Sequence, residues 1–318
     1  MGALNVRIGA RSSRLSQAQT ATVLDLITKR LGDSVKLEFV PVRTRGDRLP
    51  PDAKRNRTKA GAKGAFTGDI ETLLLKGEID IAIHSMKDLT SNPTKGLVIG
   101  ATPPRSDPRD ALISAGGGAI ETLPKGAKVG TSSLRRKAQL LDLRQDLEVV
   151  ELHGNVDTRL RMVAGRKEPE GAIRGLDAIV LAVAGLERLG ESSRISQKFS
   201  IDEMVPAVGQ GIIAVQMRRG DKDMAKVVSQ IDDEATSLES KCERAFAQRL
   251  GVDCYVPVGG CARASAGSIR IVGMVSKEDG TELRRKTLRG DPAEAAALGR
   301  RLADDLLARP RGQGGAAS

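Results

Sequence analysis

The stretch Ile79-Asp80-Ile81-Ala82-Ile83-His84-Ser85-Met86-Lys87-Asp88 decides how the rest of the chain is read. Ile79 to Ile83 is a short β-branched apolar run, the signature of a strand buried on both faces of a parallel sheet. It stops abruptly at Ser-Met-Lys-Asp. In open α/β sheets ligands bind just beyond the carboxyl ends of the strands, which places Lys87 and Asp88 where a substrate would sit. The pattern alone also fits a blander alternative, with Asp88 capping the next turn and Lys87 solvated. The company these residues keep along the chain favours the first reading.

Working outward, Val6 to Gly9 reads as a strand and Leu15 to Leu31 as a helix closed by Gly32, with Leu15, Ala18, Thr22 and Leu26 on one stripe. Between them, Ala10-Arg11-Ser12-Ser13-Arg14 forms an anion-binding pattern: small hydroxyls and a guanidinium at a helix N-terminus. Val35 to Val42 is a second strand. Residues 48–65 lack apolar periodicity and carry Arg48, Lys54, Arg55, Arg57, Lys59 and Lys63, so they read as a basic lid or as a solvated loop. A helix around Ile70, Leu73 and Leu74 ends at Gly77, and Leu97 to Ala101 is another strand.

A second α/β unit repeats the opening design. Lys128-Val129-Gly130 leads into Thr131-Ser132-Ser133-Leu134-Arg135-Arg136 and a helix containing Ala138-Gln139, as Gly9 leads through Ser12-Ser13 to Ala18-Gln19. Two such halves would face a cleft. His153-Gly154-Asn155-Val156-Asp157-Thr158-Arg159 opens another helix at the end of a strand spanning Leu147 to Leu152. Asp177 to Val183 is a further buried strand, and Ile212 to Met217 is expected to return to the first sheet. From Asp221 the pattern changes to a helix through Leu238, Cys242 and Ala245 ended by Gly251. Two antiparallel strands follow, at Ile269 to Val275 and Glu282 to Leu288, and then a last helix behind Asp291-Pro292. Residues 309–318, rich in Gly and Ala, are expected to be disordered.

The bulk numbers bound the function. A chain of 318 residues suits two or three domains. The net charge of +11 points to an anionic partner. Single-stranded nucleic acid needs aromatic platforms, and the sequence has four Phe, one Tyr and no Trp. No apolar run is long enough to span a bilayer, and no apolar signal core follows Met1. Three cysteines fit a reducing, cytoplasmic setting rather than a disulfide framework. There is no GxxxxGK[ST] loop, no strand followed by GxGxxG, no CxxC and no HExxH, so nucleotide cradles and metal sites are not expected. What remains is Arg and Lys at strand ends with one Asp among them, a site for a substrate bearing several carboxylates. There Asp88, ionised in a positive field, could stabilise a cation formed on that substrate.

The strings Thr44-Arg45-Gly46-Asp47, His84 to Asp88, Asp107-Pro108-Arg109-Asp110, Gly130 to Arg136 and Pro206-Ala207-Val208-Gly209-Gln210-Gly211, in this order, resemble the hydroxymethylbilane synthase (porphobilinogen deaminase) family. The resemblance runs from the first strand to about Pro257 and more loosely beyond. It implies an α/β fold of two periplasmic-binding-protein-like (type II) domains around a cleft plus a small C-terminal α/β domain with an antiparallel sheet. The boundaries expected are 1–103 plus 200–219, 104–199 and 220–318. It also implies an enzyme of tetrapyrrole (haem) biosynthesis, a cytoplasmic monomer without metal, nucleic-acid or membrane partners. The enzyme would join four porphobilinogen molecules head to tail with loss of ammonia, on a covalently bound dipyrromethane primer that carries the growing polypyrrole. Each pyrrole bears an acetate and a propionate, in keeping with the anion loops.

Carried over residue by residue, the catalytic carboxylate falls on Asp88. Substrate and cofactor contacts fall on Arg11, Ser13, Lys87, Thr131, Ser133, Arg135, Arg136 and Arg159, with Phe66 as the aromatic of the lid. The chain departs from the family in three places. His153 stands where the family usually has Arg, exchanging a permanent charge for one that titrates near neutrality, and the lid is slightly longer. The cofactor loop, usually Leu-x-Gly-Gly-Cys-x-x-Pro, reads Leu250-Gly251-Val252-Asp253-Cys254-Tyr255-Val256-Pro257. Its register makes Cys254 the expected thioether attachment point, although Gly259-Gly260-Cys261 reproduces the Gly-Gly-Cys itself. Cys242, on an apolar helix stripe, is expected to be buried and inert. A non-catalytic two-lobed anion-binding protein would explain the basic cleft but not Asp88 or the third domain.

Overall fold

Leu4–Arg11 forms β1, in which Val6, Ile8 and Ala10 are buried together on one face. The computed structural model describes residues 3–45, 67–163, 175–251, 257–277 and 279–308; the lid, Phe66, Cys254 and residues 309–318 lie outside them. Against β1 packs α1 (Arg14–Leu31), whose Val23 and Ile27 enter the same core. Full burial of an Ile such as Ile8 or Ile27 is worth about 1.5–3 kcal/mol, and the helical spacing of α1 delivers one such residue per turn. The chain continues through β2 (Val35–Val42), α2 (Gly68–Lys76), β3 (Ile81–Ser85) and β4 (Leu97–Ala101).

The next segment builds a second sheet from β5 (Asp110–Ser114), β6 (Lys128–Gly130), β7 (Glu148–Val150), β8 (Ala178–Ala182) and β9 (Gln197–Lys198). It also carries α3 (Leu134–Leu143), α4 (Val156–Arg161) and α5 (Val183–Arg188). β10 (Ile213–Arg218) then returns to the first sheet, as the sequence suggests. The first sheet has the order β2-β1-β3-β10-β4 and the second β7-β6-β8-β5-β9. In each, the fourth strand runs antiparallel to its neighbours while the first three are parallel. The two halves therefore share one topology, the type II arrangement that the resemblance implies.

The repeat extends to the helix starts. Ser13 accepts a hydrogen bond from Ser16 N, and Ser133 accepts one from Arg136 N, each capping the helix that follows the first parallel strand of its sheet. Such ends present unsatisfied N–H groups and a positive dipole toward the cleft.

Beyond β10, α6 (Lys222–Ser229) packs on the first sheet and α7 (Glu234–Leu250) enters a third unit. There β11 (Val258–Ser265), β12 (Ser268–Val275) and β13 (Arg284–Gly290) form an antiparallel sheet, covered by α7 and α8 (Ala295–Leu307). Asp291 caps the short turn before α8, as its Asp-Pro pair predicts. Cys242, Phe246, Ile271 and Leu302 form the centre of this core.

Candidate functional site

The turn Met86–Asp88 follows β3 directly, so Lys87 and Asp88 stand at the carboxyl end of a central strand. Met86 is buried beneath them, with Ser240 and Arg244 of α7 against its sulfur. The turn is thereby fixed to the third unit as well as to its own sheet.

Two cavities meet at this turn. One, of about 260 Å³, is walled by Lys87, Asp88, Ser133, Arg135, Arg136 and Arg244, with Ala247 and Val258 on its third-unit side. The other, of about 230 Å³, is walled by Arg11, Ser13, Arg14, Lys87, Arg136, Gly154, Asn155, Arg159 and Arg188. Lys87 and Arg136 belong to both walls. Asp88 also borders a recess of about 50 Å³ together with Arg11 and Ser13.

Of the residues singled out in the sequence, Asp88, Lys87, Ser133, Arg135 and Arg136 come together around the larger cavity, and Arg11, Ser13 and Arg159 join Lys87 and Arg136 around the other. Thr131 is buried behind them, its hydroxyl accepting from Ser133 N at 3.2 Å. His153 lines neither cavity although Gly154 and Asn155 do; its Nε2 lies 2.9 Å from Glu151 Oε1. Phe66 and Cys254 lie outside the described residues.

The charges are organised by a carboxylate that sequence reasoning quoted without giving it a role. Asp110, at the start of β5, receives Arg135 on Oδ2 and Arg136 on Oδ1, each at 2.7 Å, and all three side chains are buried. Burial works to raise the Asp110 pKa, but the two guanidiniums outweigh it and hold the carboxyl far below its ordinary range. Two cations on one anion leave an excess positive charge facing the cavity. Lys87 feels it: burial, and then Arg136, push its pKa down to about 8, while Asp88 and Asp110 pull the other way. Arg159 is lowered to about 10 by burial and by Arg136, and donates to Gly154 O at 2.8 Å. Burial lowers Arg188 to about 10 as well.

Gln210 ties these groups together. Its amide donates to Pro108 O at 2.7 Å and to Asp110 Oδ1 at 3.0 Å, and its carbonyl accepts from Lys87 at 3.4 Å. The glycines flanking it allow the approach. Gly209 has φ +74°, and a Cβ there would lie 2.4 Å from Met86 Cγ; Gly211 has φ +87°, and its Cβ would lie 2.5 Å from Ser106 O. The strings Asp107 to Asp110 and Pro206 to Gly211, so far marks of resemblance only, thus form the joint between the two sheets.

Other participants have partners that the sequence does not reveal. Arg14 reaches across from α1 to Asp157 of α4 at 2.6 Å, at the wall of the smaller cavity. Arg188 donates to Ser106 Oγ and Gly211 O. Arg105, in the connection after β4, is buried between Glu239 and Glu243 of α7 at 2.9 and 2.6 Å, and donates to Gln210 O. Only the tertiary fold brings these partners together.

The two remaining described cysteines are unsuited to attack. Cys242 and Cys261 are buried, and burial pushes each thiol up to about 12. Among the described residues no group of three or more His, Cys, Asp or Glu side chains could hold a metal ion.

The profile described as "Porphobilinogen deaminase, dipyromethane cofactor binding domain" matches residues 6–226, and the one described as "Porphobilinogen deaminase, C-terminal domain" matches residues 237–308. The porphobilinogen deaminase of Pelotomaculum thermopropionicum is 44% identical over 302 residues, covering 95% of this chain and 93% of that protein. That of Syntrophotalea carbinolica is 41% identical over 309 residues, covering 97% and 94%. Among solved structures, a methionine-binding protein, MetQ, superposes with a TM-score of 0.40 at 13% identity, over 71% of this chain and 88% of that one. The matched profiles and the near full-length relatives make the chain a member of the porphobilinogen deaminase family.

Proposed function

We propose that this chain is a hydroxymethylbilane synthase, condensing four porphobilinogen molecules head to tail with loss of ammonia. The observation that carries the reading is Asp88, the one carboxylate among the described residues on the wall of a cavity that Lys87, Arg135, Arg136 and Arg244 also border. A simple anion-binding site gains nothing from a carboxylate there; a site that must stabilise a transient cation on an anionic substrate does.

The residues present fit a dipyrromethane cofactor. Its acetate and propionate groups call for several cations and helix N-termini around one cleft, which Arg11, Lys87, Arg135, Arg136 and Arg159 supply with Ser13, Thr131 and Ser133 at the helix starts. When bound, the cofactor supplies the pyrrole end to which the first substrate is joined. Asp88 accepts a pyrrole N–H and offsets the positive charge left on porphobilinogen when ammonia departs. The guanidiniums orient the carboxylates, and His153 and Phe66 take part in holding the lengthening chain.

Ala247 and Val258 flank, in sequence, the segment that bears Cys254, and both line the larger cavity. This supports attachment at Cys254, as do the buried thiols of Cys242 and Cys261. We read the chain as divided at 1–103 plus 200–219, 104–199 and 220–318, and as a cytoplasmic monomer that does not bind nucleic acid. No described helix is long and apolar enough to cross a membrane.

The test is the intact mass of the purified protein followed by peptide mapping. A dipyrromethane adduct is expected on the peptide containing Cys254, and Cys254→Ala should yield only unmodified chain. An adduct that survives in Cys254→Ala and disappears in Cys261→Ala would move the attachment to the other sulfur.

A further inference from the structure

Arg14 is the first residue of α1, directly after the Ser13 cap. A cation there faces the positive end of the helix dipole, a position that favours acidic residues instead. Its guanidinium is turned across the cleft, where Nη1 donates to Asp157 Oδ1 at 2.6 Å. Asp157 lies in the first turn of α4, so the bond spans the two halves. The halves also meet beside it: a Cβ on Gly185 of α5 would lie 3.8 Å from Leu15 Cδ2. The dipole of α4 accounts for an acid at Asp157, but that of α1 does not account for Arg14.

Both side chains border the smaller cavity, and they are 61% and 29% exposed, so a solute reaches either one. The other charged groups on that wall are Arg11, Lys87, Arg136, Arg159 and Arg188. Asp157 is thus the one carboxylate there among the described residues. Those cations need no acid to hold an anion, and a fixed carboxylate repels one. An exposed ion pair is weak, so Arg14 changes partners readily, and its planar fork accepts any carboxylate in the same geometry.

Resting on the function proposed above, we infer that Arg14 is a further carboxylate contact for the substrate, and that Asp157 is its stand-in. The pair closes across the cleft in the free protein. An acetate or propionate of the incoming pyrrole then takes the place of Asp157 on the guanidinium, and Asp157 turns to the water that already reaches it. The exchange favours ligands whose carboxylate extends to the Arg14 edge of the cavity, because an anion bound elsewhere gains no contact with that guanidinium.

The experiment is a double-mutant cycle on the cofactor-loaded protein at physiological salt, where the general field is screened. Calorimetry reads the dissociation constant of an unreactive probe, a pyrrole that bears the acetate and propionate but lacks the aminomethyl group. Asp157→Asn removes the competing charge, keeps the shape and should tighten binding about fivefold, the ceiling for an exposed ion pair. In the Arg14→Gln background the same change should alter the constant less than about twofold, since no guanidinium remains to be freed. Asp157→Ser, read the same way, serves if Asp157→Asn does not fold. Weaker binding in folded Asp157→Asn overturns the exchange and makes the pair a brace between the halves. An equal gain in both backgrounds overturns it as well, leaving simple repulsion by Asp157, and so does a wild-type protein that does not bind the probe. Wild-type protein that binds the probe with the expected pattern but forms no tetrapyrrole from porphobilinogen overturns the proposed function instead.

Discussion

Arg105 Nη1 lies 2.6 Å from Glu243 Oε1, with the side chains 2% and 0% exposed. The same guanidinium reaches Glu239, and Glu243 also accepts from Gly209 N and Ala262 N. One buried cation therefore joins the connection after β4, the Gly209 turn and the third unit. Removing it strands two carboxylates without water. Arg105→Ala is expected to destabilise the protein by about 3–5 kcal/mol, read as a drop in the urea unfolding midpoint. A loss under about 1 kcal/mol would mean that water reaches the carboxylates.

Asp88→Asn keeps the shape of the turn and removes its charge. A fall in turnover of at least ~100-fold is expected, the order seen when a main electrostatic stabiliser is lost, with an unchanged circular dichroism spectrum. Near-normal turnover would show that the Asp88 charge does not drive the step.

Lys87 gives a pH signature. Burial and Arg136 favour its neutral form, so it is charged below about pH 8 and neutral above in the free protein. The KM for a carboxylate-bearing substrate should therefore rise as pH passes that value. A bound carboxylate favours the ammonium form, so the fall in kcat should come at higher pH than the fall in kcat/KM. Lys87→Met should show a high KM throughout and lose this limb; a limb retained in the variant would assign it to another group.

Gly209→Ala should damage both stability and catalysis. The backbone is left-handed there, which costs a residue with a Cβ about 1–2 kcal/mol. The new methyl would also press on Met86 and sit 3.1 Å from Lys87 N. A lower melting temperature and at least a ~10-fold lower kcat/KM are expected, since small displacements of reacting groups are costly. Wild-type kinetics would mean that the Met86–Asp88 turn tolerates the shift.

The sequence made legible what is local. Val35–Val42 and Leu97–Ala101 are read to the residue because apolar runs there are bounded by turn-forming neighbours. The Ser13 and Ser133 helix starts are equally plain, since a cap is a matter of adjacent residues. The strand Asp110–Ser114 is missed because it is short and follows a proline-rich linker, and Val258–Ser265 because its glycines have no strand preference until β12 pairs with them. The site divides the same way. Lys87 and Asp88 announce themselves by position, but the Asp110–Arg135–Arg136 cluster and the Arg105 latch join residues 25 to 138 apart in sequence, which no local pattern encodes. His153 is placed by its motif alone: its neighbours Gly154 and Asn155 border the smaller cavity, and its own ring lies beside Glu151.

Because Lys87 and Arg136 stand in the wall between the two cavities, neither cavity owns its positive charge. An anionic group drawn to one side spends part of the attraction that the other side would feel. Occupancy on the two sides is thus a linked equilibrium, and the change that the first ligand makes in the affinity for the second must equal the change that the second makes for the first. A protein of this design weighs its two ligands jointly, and binding measured with either one alone describes only half of that balance.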